Sequence, residues 1–262
     1  MALSTVVINE LADVVEDAQK NLREITKLSD LQPSMTVADG YAVQAELQRR
    51  WTLQGRALAG YKGGLTAKAK MIQMGVHAPA FGILMADTCV PDGDAVAMST
   101  LIHPKVEAEI AFVTSKELSG TEVSIDEVLS ATEFVLPAIE IIDSRFKDFK
   151  FDAPSVIADN TSAARYVVGG APRRPAGLDL RLLGVVMERN GQLVGTAAGA
   201  AVLGHPAASV SALVAWLSES GRALPAGSLV MTGGVTEAVT VSAGDHVTAR
   251  VQHLGTVGVR FV

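Results

Sequence analysis

Two glutamates set one residue apart, Glu107 and Glu109 in PKVEAEIAFV (104 to 113), interrupt an otherwise apolar run. In a strand, side chains at i and i+2 share a face, so the two carboxylates point the same way from Cα atoms roughly 6.5 to 7 Å apart. Val106, Ala108, Ile110 and Phe112 then line the other face. A half-buried strand with one wet face would account for that alternation alone. A third glutamate, Glu140 in VLPAIEIID, stands in a comparable aliphatic setting. Three carboxylates buried together repel one another, raise each other's pKa and are costly unless a cation neutralises them. The natural occupant is a hard divalent ion. Mg²⁺ takes octahedral oxygen coordination, so three monodentate glutamates leave positions for water and for an α-keto acid chelating through its carboxylate and 2-oxo oxygens.

Lys62 lies in AGYKGGLTAKAK (59 to 70), between glycines and just before an expected helix opening near Thr66. Glycine lets backbone approach a ligand closely, and a lysine held there can bind a substrate oxygen or move a proton. A solvated lysine in a turn has the same local sequence, and Lys68 and Lys70 are read as surface charges. Other chemistries lack their marks. His77, His103, His205, His246 and His253 show no paired metal-ligand spacing, and Cys89 has no second cysteine, so a zinc site is not expected. The chain has no G-x-S-x-G elbow, no phosphate loop and no dinucleotide fingerprint.

The elements that must hold these groups fall into two textures. Residues 8 to 25 and 37 to 55 carry apolar side chains at helical spacing, with Thr36 placed to cap the second helix. From about residue 81, short β-rich runs alternate with Gly, Pro and Asp turns: KVEAEIAFV, EFVLPAIEIID, RYVVGG, LGVVMERNGQLVG, SLVMTGGV and DHVTARV. Asn190-Gly191 predicts a type I′ hairpin. A late helix is expected over 205 to 221, with His205 before Pro206 as its cap and not a metal ligand. Strands and helices in this irregular order predict an α+β fold, with helices on antiparallel or mixed sheets. The organisation expected is a helical N-terminal subdomain, 1–80, and a β-rich catalytic core, 81–262, acting as one unit.

At 262 residues, 48% hydrophobic and 19% charged, the chain can bury a large core without disulfides. A net charge of -6 with scattered basic residues argues against nucleic acid and against an anionic membrane surface. The acids within the N-terminal apolar pattern do not suit a secretory segment, and no run reaches the roughly 18 apolar residues needed to span a bilayer. The expected compartment is the cytoplasm.

Taken in order, GYKGGLT, LIHPKVEAEIAFV, VLPAIEIIDSRFKDFKF, VIADNTSA, LGHP and GSLVMTGGV resemble the hydratase and decarboxylase group of the fumarylacetoacetate hydrolase superfamily along nearly the whole chain. The resemblance implies a mixed β-sheet roll with flanking helices. It implies Mg²⁺ or Mn²⁺ on Glu107, Glu109 and Glu140, and an active-site lysine at Lys62. It also implies a small dicarboxylate 2-oxo acid as substrate, a homo-oligomer, and a possible complex with a sister hydratase. Within the group, hydratases resemble one another in an aspartate before Phe-Gly, where this chain has Ala80. Lys150 in DSRFKDFKFD resembles the decarboxylase version, and an extra cation suits a dicarboxylate. The expectation is decarboxylation of 2-oxohex-3-enedioate to 2-hydroxypenta-2,4-dienoate, with hydration of that dienoate as the alternative. Arg145, Lys150, Ser162, Thr232 and Gly233 are the expected substrate contacts; Asp143, Ser144, Asp159, Asn160 and Gly234 are neighbours that could support them.

Overall fold

A computed structural model describes residues 2–67, 71–72 and 78–262. The expected helix opening near Thr66, together with Lys68, Lys70 and His77, lies largely outside the described residues.

The N-terminal helices follow from their patterns. α1, Thr5–Lys20, buries Ile8, Leu11, Ala12, Val15 and Ala18 at three- and four-residue spacing, and Ser4 caps it. It is shorter than the expected 8 to 25. Asn21 and Arg23 donate back to Asp17 and Ala18, and Leu22 turns to φ 49°. Ile25 is then free to donate to the Arg145 carbonyl and accept from Lys147. A short helix α2, Leu28–Leu31, precedes α3, Val37–Leu53. There Thr36 and Asp39 form a reciprocal capping box, and Val43, Leu47 and Trp51 are buried one turn apart.

The strands form two sheets. The larger contains β1 (Leu58–Gly64), β2 (Ala80–Met85), β3 (Cys89–Val90), β5 (Lys105–Thr114), β6 (Thr132–Ile142), β7 (Ala163–Val168) and β10 (Leu229–Met231), in the order β2-β1-β10-β5-β6-β7-β3. β11 (Val239–Thr240) adds to the start of β5. β1 runs parallel to β10 and antiparallel to β2, so the sheet is mixed. The smaller sheet holds β4 (Ala95–Val96), β8 (Gly184–Arg189), β9 (Gln192–Ala198), β12 (His246–Val251) and β13 (Gly255–Phe261), in the order β4-β13-β12-β8-β9. β12 and β13 pack against β6. The core between the sheets includes Val106, Ala108, Ile110 and Phe112, the apolar face anticipated for β5. The α+β expectation therefore holds.

β1 is an addition to the expected map. The segment 1–80 carries the helices and also this strand, which joins the large sheet between β2 and β10. Its glycines serve close approach: a Cβ on Gly60 would stand 1.8 Å from the Leu229 carbonyl oxygen. The Asn190-Gly191 hairpin joins β8 to β9 with φ values of 55° and 75°, both on the positive side that a type I′ turn requires.

Two short helices, α4 (Ile125–Ser130) and α5 (Ala153–Ala158), precede the late helix α6, Pro206–Glu219. The His205 Nδ1 accepts from Ala207 N at 3.0 Å and caps α6, as expected. The stretch 199–219 is long and apolar enough to cross a bilayer by composition. Within the fold, α6 buries Val210, Leu213, Val214 and Leu217 in the protein core.

Candidate metal and substrate site

Glu107 and Glu140 are direct register partners across β5 and β6, and Glu109 projects from the same face of β5 two residues on. That face is not wet: Glu109 and Glu140 are 0% exposed and Glu107 8%. Each contributes an oxygen to a group whose members all lie within 4.8 Å of one another. Like charges directly opposed across strands destabilise a sheet. Burial and the neighbouring Glu140 push Glu109 well above the usual carboxylate range, and burial likewise raises Glu140. Among the described residues, the Oε1 atoms of Glu109 and Glu140 are buried without a hydrogen-bond partner. Carboxylate oxygens converging from three side chains, those of Glu109 and Glu140 including orphaned atoms, fit a hard divalent cation; among the described residues no soft ligand joins them.

A loop shapes the other side. β5 pairs with β11 at its start and β10 at its end, leaving its middle to the connection 232–236. Val235 N donates to the Ala108 carbonyl at 2.8 Å, and Thr236 Oγ1 accepts from Ala108 N at 3.2 Å. This brings Gly233 N–H onto Glu109 Oε2 at 2.8 Å. Gly233 has φ 103°, and a Cβ there would meet Thr66 Oγ1 at 2.1 Å, so glycine is required. Gly234 passes so close to Glu107 that an added Cβ would lie 2.8 Å from its carboxyl group.

Lys62, on β1, is 2% exposed, with Nζ 2.9 Å from Glu140 Oε2 and 3.3 Å from the Thr161 carbonyl. Burial alone would lower its pKa, but Glu140, Glu109 and Glu107 together raise it above the usual lysine value, so the side chain is an ammonium. The Thr161 carbonyl is aimed by an unusual stretch: Asn160, Thr161 and Ser162 all have positive φ, at 51°, 51° and 61°. Three consecutive non-glycine residues in this region are strained, and such strain clusters at functional sites. Asn160 fixes the stretch by accepting from Ile83 N at 2.7 Å and donating to its carbonyl at 2.9 Å. Ser162 Oγ is buried and, among the described residues, without a partner.

Against Glu107 lies a cavity of about 600 Å³, lined by Lys62, Thr161, Ser162 and Gly234 together with Lys27, Lys105, Phe149, Lys150 and Phe151. Ala80 also lines it and contributes no acid. The structure therefore brings Lys62, Glu107, Ser162 and Lys150 to one cavity, with Glu109 and Glu140 beneath its Glu107 edge. Lys150 stands at the mouth, largely exposed, 3.4 Å from Asp148.

Two expected substrate contacts are elsewhere. The Arg145 guanidinium is buried in an ion pair with Asp159, and also donates to the carbonyls of Asp143 and Asp159. It lines a separate cavity of about 170 Å³. Burial raises the Asp159 carboxyl to about 6 against the opposing effect of Arg145. Asp143 accepts from the backbone of Ile102 and His103, and Ser144 from Phe146 N, so this turn is devoted to holding backbone. Thr232 is fully buried, its hydroxyl donating to the Ile110 carbonyl at 2.8 Å. Thr161, Lys27 and Lys105 also line the larger cavity. Long-range packing brings the first two there, whereas Lys105 stands two residues before Glu107, a spacing visible in the sequence.

Residues 57–262 match the family described as fumarylacetoacetate (FAA) hydrolase C-terminal. The chain belongs to the fumarylacetoacetate hydrolase family. Among curated relatives of this family, a 4-oxalocrotonate decarboxylase of Pseudomonas sp. (strain CF600) is 52% identical over 252 residues, 96% of each chain. A 2-keto-4-pentenoate hydratase of Paraburkholderia xenovorans is 39% identical over 253 residues, 96% of this chain and 94% of its own. A solved family structure, 4-oxalocrotonate decarboxylase from Pseudomonas putida G7 complexed with magnesium and adipate, superposes with a TM-score of 0.97 at 48% identity, covering 100% of this chain and 99% of that one.

Proposed function

We propose that this protein is a carboxy-lyase that decarboxylates 4-oxalocrotonate (2-oxohex-3-enedioate) to 2-hydroxypenta-2,4-dienoate with a divalent cation, Mg²⁺ or Mn²⁺. The observation that carries this reading is the buried Glu107, Glu109 and Glu140 cluster beside the Lys62 ammonium. It is supported by the identity to 4-oxalocrotonate decarboxylases, which exceeds that to the hydratases.

The three glutamates would hold the cation, which when bound supplies Lewis-acid stabilisation of negative charge developing on the 2-oxo oxygen. With a divalent ion bound, three carboxylates and the Lys62 ammonium would sum with it to zero charge, so the buried site would be neutral before substrate enters. In the reaction the C5–C6 bond breaks and the remote carboxylate leaves as CO₂. Its electron pair forms C4=C5, the C3=C4 pair shifts to C2=C3, and the 2-oxo oxygen takes the charge. Lys62, held between Glu140 and the Thr161 carbonyl, donates a hydrogen bond or the proton at that oxygen. Ser162 Oγ, buried and without a partner among the described residues, would bind the substrate's 2-oxo-acid end, and Lys150, which lines the same cavity, would attract the dicarboxylate. Ala80 leaves the cavity without the acid expected of a hydratase there.

The exposed free thiol of Cys89 suits a reducing compartment, which supports a cytoplasmic location in a meta-cleavage route for aromatic compounds. We further infer a homo-oligomer that also docks the sister hydratase, since the dienol product is unstable and benefits from a short transfer. β9, an edge strand with Leu193 63% exposed, is the sheet edge a partner could extend. The deciding experiment supplies the purified protein with Mg²⁺ or Mn²⁺ and each substrate separately. CO₂ from 2-oxohex-3-enedioate is expected; hydration of 2-hydroxypenta-2,4-dienoate without CO₂ release from the dicarboxylate would overturn the reading.

A further inference from the structure

Among the described residues four lysines line the cavity, and three of them face carboxylates. Lys62 is 2.9 Å from Glu140, Lys150 is 3.4 Å from Asp148, and Lys27 is 3.5 Å from Asp30 and 3.8 Å from Asp152. Lys105 has no carboxylate partner among the described residues. Its ammonium rests over the ring of Phe149, 4.3 Å from the centroid. That ring is fixed: it lies 4.9 Å from the His103 ring and 6.2 Å from Phe151, on backbone at φ 58°. Lys105 is thus a half-buried cation braced on an aromatic face, with no ion pair to a carboxylate among the described residues.

Its position along β5 gives it a use. Lys105 precedes Glu107 by two residues in a regular stretch of strand, so both side chains leave the same face, roughly 6.5 to 7 Å apart at their Cα atoms. That separation is comparable with the span of a six-carbon chain. We propose that Lys105 receives the carboxylate remote from the 2-oxo-acid end of the substrate and so selects dicarboxylates over monocarboxylates. This rests on the functional reading above for which end of the ligand lies at the glutamates. The chemistry favours a cation held loosely over a ring. The remote carboxylate loses its charge as CO₂ departs, so a lysine bound to it stabilises the ground state more than the transition state. Such a contact sets KM and specificity and does not raise kcat.

The test uses 2-oxoadipate and 2-oxohexanoate, which share the 2-oxo-acid end and differ only in the remote carboxylate. Each is titrated calorimetrically into the Mg²⁺-loaded protein. The wild type is expected to favour 2-oxoadipate by about tenfold or more, the scale of one charge-assisted hydrogen bond. Lys105→Gln should abolish that preference while leaving 2-oxohexanoate binding within about twofold of the wild-type value, and Lys105→Arg should retain it. With 2-oxohex-3-enedioate, Lys105→Gln should raise KM without lowering kcat. The proposal is overturned if the wild type shows no preference, if Lys105→Gln keeps it, if Lys150→Gln loses it instead, or if Lys105→Gln weakens both ligands alike. The binding ratio is readable whether or not CO₂ is released, so failure of the decarboxylation reading would be seen separately.

Discussion

Glu109 and Glu140 are both buried carboxylates, yet their surroundings make opposite predictions for the same substitution. Glu109 accepts one hydrogen bond, from Gly233 N, which a glutamine oxygen can also accept. Glu140 carries the charge that balances the buried Lys62 ammonium. Glu109→Gln should therefore leave the metal-free protein as stable as the wild type or more so, since a buried charge has been removed. Glu140→Gln should destabilise it by about 3 kcal/mol, because the nearest partner of a buried cation is lost. Both should abolish the stabilisation that Mg²⁺ gives the wild type. Thermal unfolding with and without Mg²⁺ checks this; equal melting temperatures for the two metal-free variants would count against it. At this scale the sequence was partly readable. The three glutamates could be found because charge in an aliphatic run is anomalous, and Lys62 because glycines flank it. Arg145 and Thr232 were polar residues near expected strands, but their hydrogen bonds go to Asp159 and Ile110, partners that no local pattern reveals.

β1 and β2 show why glycine was the hardest residue type to interpret. The glycines beside Lys62 read in the sequence as close approach of backbone to a ligand, whereas Gly60, Gly63, Gly64 and Gly82 let two strands, β10 and the Asn160–Ser162 stretch approach without side chains between them. An added Cβ on Gly82 would lie 2.3 Å from Thr161 Oγ1, 2.9 Å from the Asn160 carbonyl oxygen and 2.9 Å from Lys62 Cδ. Gly82→Ala must therefore displace the loop that aims the Thr161 carbonyl, or Lys62 itself. The expected result is a loss of about 1–3 kcal/mol in stability, the usual cost of overpacking, together with a fall in kcat of tenfold or more. Gly184→Ala on β8, where the nearest atom lies 3.7 Å away, is the control and should cost less than about 0.5 kcal/mol. Comparable kcat values for the two variants would show that Gly82 does not position Lys62. The elements that could be read from sequence were those defined by their own residues: α3 by its capping box, α6 by His205 and Pro206, and the β8–β9 hairpin by Asn-Gly. β1 owes its existence to neighbours distant in sequence, as its pairing with residues 229 to 231 shows.

For the molecule as a whole, the carboxylate cluster couples stability to both pH and metal. Glu109 and Glu140 have folded-state pKa values raised above those of the unfolded chain. A raised value means that the folded state binds the proton more tightly. In the metal-free protein, the stabilisation from that proton is present at low pH and is lost as pH rises through the raised values. A divalent cation binds the deprotonated carboxylates and competes with those protons, so its apparent affinity rises over the same interval. Both effects act in the same direction on the difference between loaded and metal-free protein. At about a hundredfold excess of free Mg²⁺ over its dissociation constant, binding contributes about 2.7 kcal/mol. In a chain of this size, each kcal/mol moves the melting temperature by about 2–4 °C. The Mg²⁺-dependent rise in melting temperature should therefore approach about 5–10 °C at pH 8 under those conditions. It should shrink as the pH is lowered through the raised carboxylate range. Glu109→Gln, which lacks one of the competing protons, should show little change in metal-free stability across that interval attributable to this residue. An equal Mg²⁺ shift at pH 5 and pH 8 in the wild type would mean that the cation binds without displacing protons from the cluster, and the carboxylates beneath the cavity would have to be charged and compensated by some other group.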